Sequence, residues 1–479
     1  MEYVIQGRNP ASFFRFFEEI SAIPRPSYHE ERIADYLETF AKERGLYCYR
    51  DALHNVLIKK PATKGQEDRA PILFQGHTDM VCEKNHGVEH DFLKDPLKLW
   101  VDGDLLRAKG TTLGADDGIA VALMLAILDG AVESHPAVEC LFTTAEEVGL
   151  NGAHGFDYSL LSARSMVNVD SEHLGTVTCG CAGGIRTDLT IPVRTEACTG
   201  TCLRLSVGGL MGGHSGENIH CGRANANKLM GRLLATLLPK CDARLISVEG
   251  GSKDNAIPRE CVAMLAVPCF ETASAALEAE AALIAHELSD EDHGFRVAVE
   301  EMDGEAVMMT AESTARVVGA LAAVPNGVFK MNRKIDGLVE YSRNLGVVRT
   351  EGETVVLTFA SRSGLESRLD ASTRELDAFS RILNGETRHY NRYPGWEFAP
   401  RSVLRDAYVK AYREITGEDA IVNVIHAGLE CGVIYSHIPD MDIISIAPTL
   451  HDLHSPDESL ELASVEVFWN TIVRLLEIL

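Results

Sequence analysis

Short apolar segments that run directly into acidic residues recur along this chain, and this pattern constrains its fold more than any other feature. The segment 138–142 is predicted to be a buried strand, and Glu146 and Glu147 follow it. Polar residues meet apolar elements at three more places. His77 and Asp79 follow an apolar strand, Asp116 and Asp117 precede an apolar helix, and Asp170 follows another apolar strand. In an α/β sheet the carboxyl ends of the strands meet at one edge, where ligand sites form, so the pattern predicts that these side chains converge.

The adjacent pair Glu146 and Glu147 needs a cation or a proton, because two carboxylates brought out of water repel each other. A division of labour follows, in which one Glu ligates a metal and the other stays free as a base. On this stretch alone, a solvated acidic pair that opens a surface turn is an equally good interpretation.

His77 and Asp79 point to the same side of an extended strand, since side chains alternate with period two. A metal-binding imidazole commonly has its other N–H held by a carboxylate, so this spacing suits a ligand with its orienting acid. The alternative is a histidine at a strand end beside a turn-forming Asp. Asp116 and Asp117 begin the apolar helix 119–129, where a cap needs only one acid and the second is left to bridge two cations.

Composition restricts the class of protein. The 479 residues suggest two or three domains, and a net charge of −25 without a basic block argues against a nucleic-acid partner. The longest apolar run, 119–128, is too short for a bilayer and the first residues lack the design of a signal peptide, so we expect a cytoplasmic protein without a membrane partner. The 12 cysteines form no C-x-x-C pair, which argues against a cysteine zinc site.

The order of predicted elements indicates an α/β domain interrupted by an insertion. Residues 11–45 are predicted to form helices that pack on a sheet. From about 183 the pattern changes to the β-α-β-β-α-β order of a ferredoxin-like unit, and a looser second copy follows. The α/β pattern returns after residue 396. We therefore expect a first catalytic segment over 1–183, an inserted α+β domain over 184–396, and a second catalytic segment over 397–479.

Five motifs, taken in order along the chain, resemble those of the two-zinc M20 metallopeptidases. They are His77-Thr78-Asp79, Gly114-Ala115-Asp116-Asp117-Gly118, Glu146-Glu147, Asp170 and His454-Ser455-Pro456-Asp457-Glu458. Three further segments resemble the aminoacyl-histidine dipeptidase (peptidase D) branch of that family: Gly213-His214-Ser215-Gly216, Asn225-Ala226-Asn227-Lys228 and His426-Ala427-Gly428-Leu429-Glu430. The resemblance runs nearly end to end.

The resemblance implies a mixed-sheet zinc-peptidase catalytic domain with a lid of ferredoxin-like units, and two Zn²⁺ per subunit, with Co²⁺ or Mn²⁺ as substitutes. It implies metal-dependent hydrolysis of dipeptides, of Xaa-His type with broad specificity, by a zinc-bound hydroxide with Glu146 as general base. One zinc would be held by His77 and Asp170 and the other by Glu147 and His454, with Asp116 as the bridge. His454 is preferred to His451 because the family-like run begins there.

The resemblance also implies roles outside the metal ligands. Asp79 would orient His77, Asp117 would cap its helix, and His214 of the inserted domain would stabilise the oxyanion, in its own or a partner subunit's site, as that domain closes during turnover. Asn255 and Arg362 match positions that bind the C-terminal carboxylate of a dipeptide, which would make tripeptides poor substrates. The alternative for Arg362 is a surface ion pair with Glu366 one helical turn on.

Other interpretations of the chain remain open. Three further residues match motifs of the family, but their residue types alone suggest no catalytic role: His426, His220 and Glu430. An aminoacylase or amidase acting on N-acyl amino acids is the main alternative function, although such relatives tend to have Glu where Asp170 stands. An inactive metal-binding homologue is a third, which the presence of Glu146 disfavours. A homodimer is the expected assembly.

Overall fold

The computed structural model describes residues 3–303, 307–333 and 335–479. The chain divides into two compact units. Unit 1 comprises the residues up to Cys181 together with Trp396–Val424 and Leu429–Leu479, and unit 2 comprises Ala182–Gly395 and Ile425–Gly428. No helix in the described part of the chain has the length and apolarity needed to span a bilayer.

Unit 1 is built on an eight-stranded mixed sheet with the strand order β1-β2-β6-β3-β7-β23-β8-β22. Its strands are β1 (Tyr47–Arg50), β2 (Val56–Lys60), β3 (Ile72–His77), β6 (Val138–Thr143), β7 (Ser165–Asn168), β8 (Thr176–Cys181), β22 (Ile421–Ile425) and β23 (Asp442–Ser445). A second, four-stranded sheet has the order β24-β25-β5-β4. It consists of β4 (Leu99–Asp102), β5 (Leu105–Ala108), β24 (Leu450–His451) and β25 (Ser459–Glu461).

The centre of the large sheet is parallel and buried. β3 pairs in parallel with β6 on one side and β7 on the other, and every residue of β3 and β6 is buried. Buried parallel strands need helices on their faces, which explains their continuous apolar sequence. The helices of unit 1 are α1 (Ala11–Ser21), α2 (Glu31–Glu43), α3 (Ala115–Asp129), α4 (Asn151–Gly155), α9 (Val403–Thr416), α10 (Glu430–His437) and α11 (Leu462–Ile478).

Helix α3 is apolar on all sides and is buried from Gly118 to Leu128, as expected of a central helix. It packs against α1 and β3. A Cβ placed on Gly76 would lie only 2.2 Å from the Cβ of Ala120 and 2.3 Å from a carboxylate oxygen of Asp117. This glycine therefore lets the end of β3 approach the start of α3, which brings His77 beside Asp116.

Unit 2 is built on a large antiparallel sheet with the order β16-β11-β15-β13-β19-β20-β9-β21, and β18 pairs with β19. Its strands are β9 (Gly183–Pro192), β11 (Thr201–Gly208), β13 (Arg244–Gly250), β15 (Cys261–Val267), β16 (Arg296–Met302), β18 (Gly327–Met331), β19 (Val339–Glu351), β20 (Thr354–Ser363) and β21 (Glu386–Tyr393). Two short pairs accompany it: β10 (Thr195–Ala197) with β17 (Val307–Met309), and β12 (Gly213–His214) with β14 (Ala256–Ile257). The helices are α5 (Ala226–Leu237), α6 (Phe270–Glu287), α7 (Ala311–Ala323) and α8 (Glu366–Ile382).

This sheet consists of two ferredoxin-like units side by side, but their order in the chain differs from the one predicted. The elements β11-α5-β13-β15-α6-β16 form one unit, and β9-α7-β19-β20-α8-β21 form the other. The second copy thus begins with β9, before the first copy, and the first copy is inserted between β9 and α7. The prediction of two consecutive copies was wrong in this respect, because the strand that opens the second copy lies far from its other elements in the sequence. The predicted α/β fold class is confirmed.

Two helix starts in the chain have clear bounds. Helix α5 begins at Ala226, because the Asn225 side chain accepts a hydrogen bond from Lys228 N and caps the first turn. Helix α10 begins at Glu430, directly after Leu429.

Candidate active site

The carboxyl ends of three neighbouring strands gather polar side chains at one edge of the unit 1 sheet. His77 is the last residue of β3 and pairs in register with Thr143 of β6, three residues before Glu146. Asp170 follows β7, which pairs with the other side of β3. Nitrogen and oxygen atoms of His77, Asp116 and Asp170 all lie within 4.8 Å of one another. The convergence expected from the strand-end pattern is therefore present.

Asp116 stands between two histidines. Its Oδ1 lies 3.0 Å from His77 Nε2 and its Oδ2 lies 3.0 Å from His454 Nε2. His454 Nε2 is also 3.3 Å from Glu147 Oε1. By contrast, His451 is paired with Glu461, at 3.9 Å. The geometry thus places His454, rather than His451, beside Asp116.

Asp79 contacts both His77 and the backbone of the loop that carries Glu146 and Glu147. It is fully buried, and its Oδ1 lies 3.3 Å from His77 Nδ1. The two carboxylate oxygens of Asp79 also accept the backbone N–H groups of Glu146 (3.1 Å) and Glu147 (3.3 Å), and Ser27 Oγ donates to Oδ2. One carboxylate therefore fixes both an imidazole and the loop that carries the acidic pair.

The charges in this cluster strongly perturb one another. Hydrogen bonds to Asp116 and Glu147 raise the pKa of His454 to about 11. Although burial opposes it, the carboxylates of Asp116 and Asp79 also raise the pKa of His77 above its usual value. Burial, with neighbouring carboxylates, raises the pKa of Glu146 and of Asp170 well above the usual range. Such a set of acids concentrates negative charge where protons or metal cations must balance it.

The donor set fits a pair of divalent cations. Among the described residues, three groups have ligand atoms that all lie within 4.8 Å of one another: His77, Asp116 and Asp170; Asp116, Glu147 and His454; and His77, Glu146 and Glu147. His77, Asp116 and Glu147 each belong to two of these groups. The two oxygens of Asp116 face His77 and His454, one each, as those of a bridging carboxylate would. Imidazole and carboxylate ligands bind Zn²⁺ at about 2.0–2.2 Å, so pairs of donor atoms roughly 3 Å apart can share one ion.

Comparison with known proteins gives the family. The model of peptidase family M20/M25/M40 matches residues 73–478. This chain belongs to that family. It is 37% identical over 473 residues to the cytosol non-specific dipeptidase of Escherichia coli, with 98% of each chain covered. The crystal structure of aminoacylhistidine dipeptidase from Vibrio alginolyticus is similar to it with a TM-score of 0.90 and 39% identity, covering 98% of this chain and 97% of that one. Aminopeptidase PepT from Bacillus cereus shares the fold alone, at a TM-score of 0.58 and 15% identity.

The resemblance to M20 metallopeptidases seen in the sequence is thus confirmed. Within this M20 protein, three supporting residues were missed by the sequence analysis. Arg25 is buried and donates to the backbone oxygens of Thr78, Asp79 and Gly114, while Glu458 accepts four consecutive backbone N–H groups from Leu113 to Asp116. Glu30 accepts the N–H of Ala145, just before the acidic pair. The residues around 25–30, predicted only to pack on the sheet, therefore also fix the site loops.

The other predicted site residues of this M20 chain lie in unit 2 and form a second polar cluster. His214 pairs with Ala256 in the short β12–β14 ladder, and the carbonyl oxygen of Asn255 accepts Ser215 N. Arg362 Nη2 lies 3.3 Å from His214 Nε2. The structure therefore brings His214, Asn255 and Arg362 into one neighbourhood of unit 2.

Arg362 is held as a buried cation. It is 4% exposed, and its Nη1 donates to the Tyr393 hydroxyl at 2.7 Å. A Cβ on Gly184 or on Gly428 would lie within 2.7 Å of the Tyr393 side chain, so both glycines make room for this ring. Glu366, the alternative partner of Arg362, instead pairs with Arg392 at 2.6 Å. Among the described residues of unit 2, no carboxylate forms an ion pair with Arg362.

His426 lies in the same cluster as a neutral group. Its Nε2 lies 2.7 Å from the hydroxyl of Ser342. Ser342 in β19 is the register partner of Arg362 in the adjacent strand β20. Burial, together with the charge of Arg362 and of two further histidines, lowers the pKa of His426 to about 3. Packing next to the guanidinium, rather than proton transfer, fits this environment. His220, by contrast, is exposed.

Proposed function

We propose that this protein is a metal-dependent dipeptidase with broad specificity that includes Xaa-His dipeptides. The E. coli relative named as a non-specific dipeptidase and the V. alginolyticus protein named as an aminoacylhistidine dipeptidase support this substrate class. The observation that carries the proposal is the buried guanidinium of Arg362, which has no carboxylate partner among the residues that the structure describes in its unit. A buried cation is costly unless an anion pairs with it, and the free C-terminal carboxylate of a peptide is such an anion.

Two Zn²⁺ ions are the proposed cofactors, with Co²⁺ or Mn²⁺ as substitutes. His77 and Asp170 would hold one ion, Glu147 and His454 the other, and Asp116 both. When bound, such a pair of cations supplies positive charge that acidifies water and polarises a peptide carbonyl.

The protein's own groups would move the proton and hold the ligands. Glu146 is the proposed general base: it takes a proton from the attacking water and transfers it to the leaving amine. Asp79, 3.3 Å from His77 Nδ1, keeps that ring oriented.

The cluster in unit 2 would recognise the substrate. Donors face both ring nitrogens of His214: Glu217 N lies 3.4 Å from Nδ1, and Arg362 Nη2 lies 3.3 Å from Nε2. A neutral imidazole accepts at one nitrogen and donates from the other, so it can accept only one of these contacts. We propose that it accepts at Nδ1, so that Nε2–H and the Arg362 guanidinium both donate to oxygens of the bound substrate. We assign the oxyanion to His214 and the substrate carboxylate to Arg362 and Asn255.

A substrate panel tests the proposal. The purified protein is incubated with Xaa-His and other dipeptides, with tripeptides, and with N-acetyl amino acids, each with and without a chelator. We expect hydrolysis of dipeptides that the chelator abolishes and added Zn²⁺ or Co²⁺ restores. Preferred cleavage of N-acetyl amino acids would instead identify an aminoacylase, and no hydrolysis under any condition would overturn the proposal.

Arg362→Lys is expected to lower kcat/KM for a dipeptide by about 2–3 kcal/mol of transition-state stabilisation, because lysine keeps the charge but loses the two-pronged contact with a carboxylate. The metal content should not change. The matched control is Arg392→Lys, which alters an exposed arginine paired with Glu366 and Asp370 and should leave kcat/KM unchanged.

The same grip on the carboxylate is tested with substrates instead of variants. Wild-type protein should cleave dipeptide amides and tripeptides far more slowly than free dipeptides. Equal rates on dipeptides and their amides would show that the carboxylate is not what Arg362 recognises.

Two further properties are proposed. The E. coli relative is named a cytosolic enzyme, which supports a cytoplasmic location for this protein. The family resemblance supports a homodimer. Light scattering on the purified protein measures its mass in solution and decides between monomer and dimer.

A further inference from the structure

Glu430 is a buried acid for which the proposed reaction has no use. It is 0% exposed and is the first residue of helix α10. Its Oε2 accepts hydrogen bonds from Gln75 Nε2 and from Thr143 Oγ1, both at 2.6 Å. Its Oε1 is buried and has no hydrogen-bond partner in the described part of the chain.

The two donors link Glu430 to a chain of polar side chains that crosses the sheet. Gln75 Nε2 also donates to Thr143 Oγ1 at 3.1 Å, and Gln75 Oε1 accepts from Asn168 Nδ2 at 2.8 Å. Thr143 belongs to β6, Gln75 to β3 and Asn168 to β7, which are adjacent parallel strands. All three residues are fully buried. The network therefore joins the ends of three strands through side chains.

The position of this network relates it to the metal-ligand set. Gln75 precedes His77 by two residues, and residues two apart on a strand lie on the same face of the sheet. Asn168 likewise precedes Asp170 by two residues. Thr143 ends β6, immediately before the loop that carries Glu146 and Glu147. Each member of the network thus comes just before a residue of the candidate metal site.

Burying a carboxyl group at position 430 lowers the stability of the fold. Burial raises the pKa of Glu430 to about 7, against the opposing effects of nearby His77 and of the hydrogen bond from Thr143. Burying a carboxyl group with one oxygen unpaired costs free energy, whereas apolar side chains of similar shape could fill the same space. Glu430 provides what an apolar side chain cannot: one oxygen that accepts hydrogen bonds from both strand ends, through Gln75 and Thr143.

We propose that Glu430 is a positioning residue, which fixes the ends of β3 and β6 through Gln75 and Thr143 and thereby sets the spacing of the metal ligands that follow them. This inference rests on the proposed metal-dependent function. Glu430 does not touch substrate or reacting atoms in it; it acts through the strands.

The test compares Glu430→Leu with Glu430→Gln. Leucine fills similar space without an acceptor, while glutamine keeps one carbonyl oxygen for Gln75 and Thr143. Four readouts are measured: the dissociation constant for Co²⁺ and the Co²⁺ absorption spectrum in the absence of peptide, and kcat and KM for a dipeptide at saturating Co²⁺. For Glu430→Leu we expect Co²⁺ affinity to fall by about 10-fold with an altered spectrum, and kcat to fall with KM little changed. Glu430→Gln should keep the Co²⁺ affinity and the Co²⁺ absorption spectrum of the wild-type protein.

Glu139→Leu is the matched control. Glu139 is a buried acid at the other end of β6, where it accepts hydrogen bonds from Ser162 N and Ala163 N and pairs with Lys59 at 2.7 Å. Its loss should lower the melting temperature without changing Co²⁺ affinity, spectrum or kcat.

The outcomes separate this inference from the proposed function. Normal Co²⁺ affinity in Glu430→Leu, equal losses in Glu139→Leu, or failure of Glu430→Gln to rescue would each overturn the positioning role while leaving the dipeptidase proposal intact. Wild-type protein that binds Co²⁺ but cleaves no dipeptide would overturn the dipeptidase proposal and leave the Co²⁺ readouts to decide on Glu430. Wild-type protein that binds no Co²⁺ would overturn both.

Discussion

Glutamine in place of Glu146 is expected to lower kcat by about 10³–10⁴-fold while the protein keeps its full metal content. Glutamine has the size and polarity of the glutamate but cannot take a proton from water. Metal analysis of the purified variant and single-substrate kinetics on a dipeptide check the two halves of the expectation separately.

Glu147→Gln should fail in a different way, by losing metal from one site. The two residues are adjacent, and their backbone N–H groups are held by the two oxygens of one carboxylate, Asp79. A difference between the variants therefore reports on side-chain roles and not on the loop. Because Glu146 also lies within ligand distance of His77 and Glu147, it could itself bind a metal. Equal metal loss in the two variants would assign it that role and remove it as the base.

The convergence of the acids was predictable because it depends on local rules. Side-chain alternation along β3 places His77 and Asp79 on one side, and the carboxyl ends of parallel strands share one edge. These rules need only a few neighbouring residues and the assumption of a parallel sheet. The structure brings His77, Asp116, Glu147 and Asp170 together accordingly.

The groups that hold the site could not be predicted in the same way. Glu458 clamps the backbone of Leu113 from 345 positions away, and Glu430 meets Gln75 across 355 positions. No local periodicity reports on such contacts, because side chains that cap backbone or strand ends do not repeat. The position of Glu458 in a family-like motif was a signal, but Arg25, between two prolines in a helical region, gave none.

The nested order of the ferredoxin-like units was missed for a related reason. Strand β9 pairs with β20 along ten residues, yet about 160 residues separate the two strands in sequence. Elements that are neighbours in a sheet are usually close in the chain, and this preference favoured two consecutive copies. Strand pairing over such distances is decided by packing of the whole unit.

His214→Ala is expected to lower kcat by about 10²–10³-fold without changing metal content, which is the usual cost of removing one oxyanion donor. The position of His214 Nε2, 3.3 Å from the guanidinium that is proposed to bind the substrate carboxylate, is the structural reason to assign this role. His286→Ala is a suitable control, since it removes an exposed histidine on helix α6 of the same unit. Full activity of His214→Ala would exclude the role.

The subunit in which His214 acts can be tested by mixing two inactive variants. If the protein is a homodimer and His214 serves the partner subunit, a mixed dimer of His214→Ala and Glu146→Gln contains one site with both residues intact. Half of the dimers in an equal mixture are mixed, and each then has one complete site of two, so activity should return to about a quarter of the wild-type value. If His214 serves its own subunit, every site in the mixture lacks one of the two groups and activity stays at the level of the single variants. Refolding or subunit exchange before the assay ensures that mixed dimers form, and a tagged copy of one variant measures their fraction.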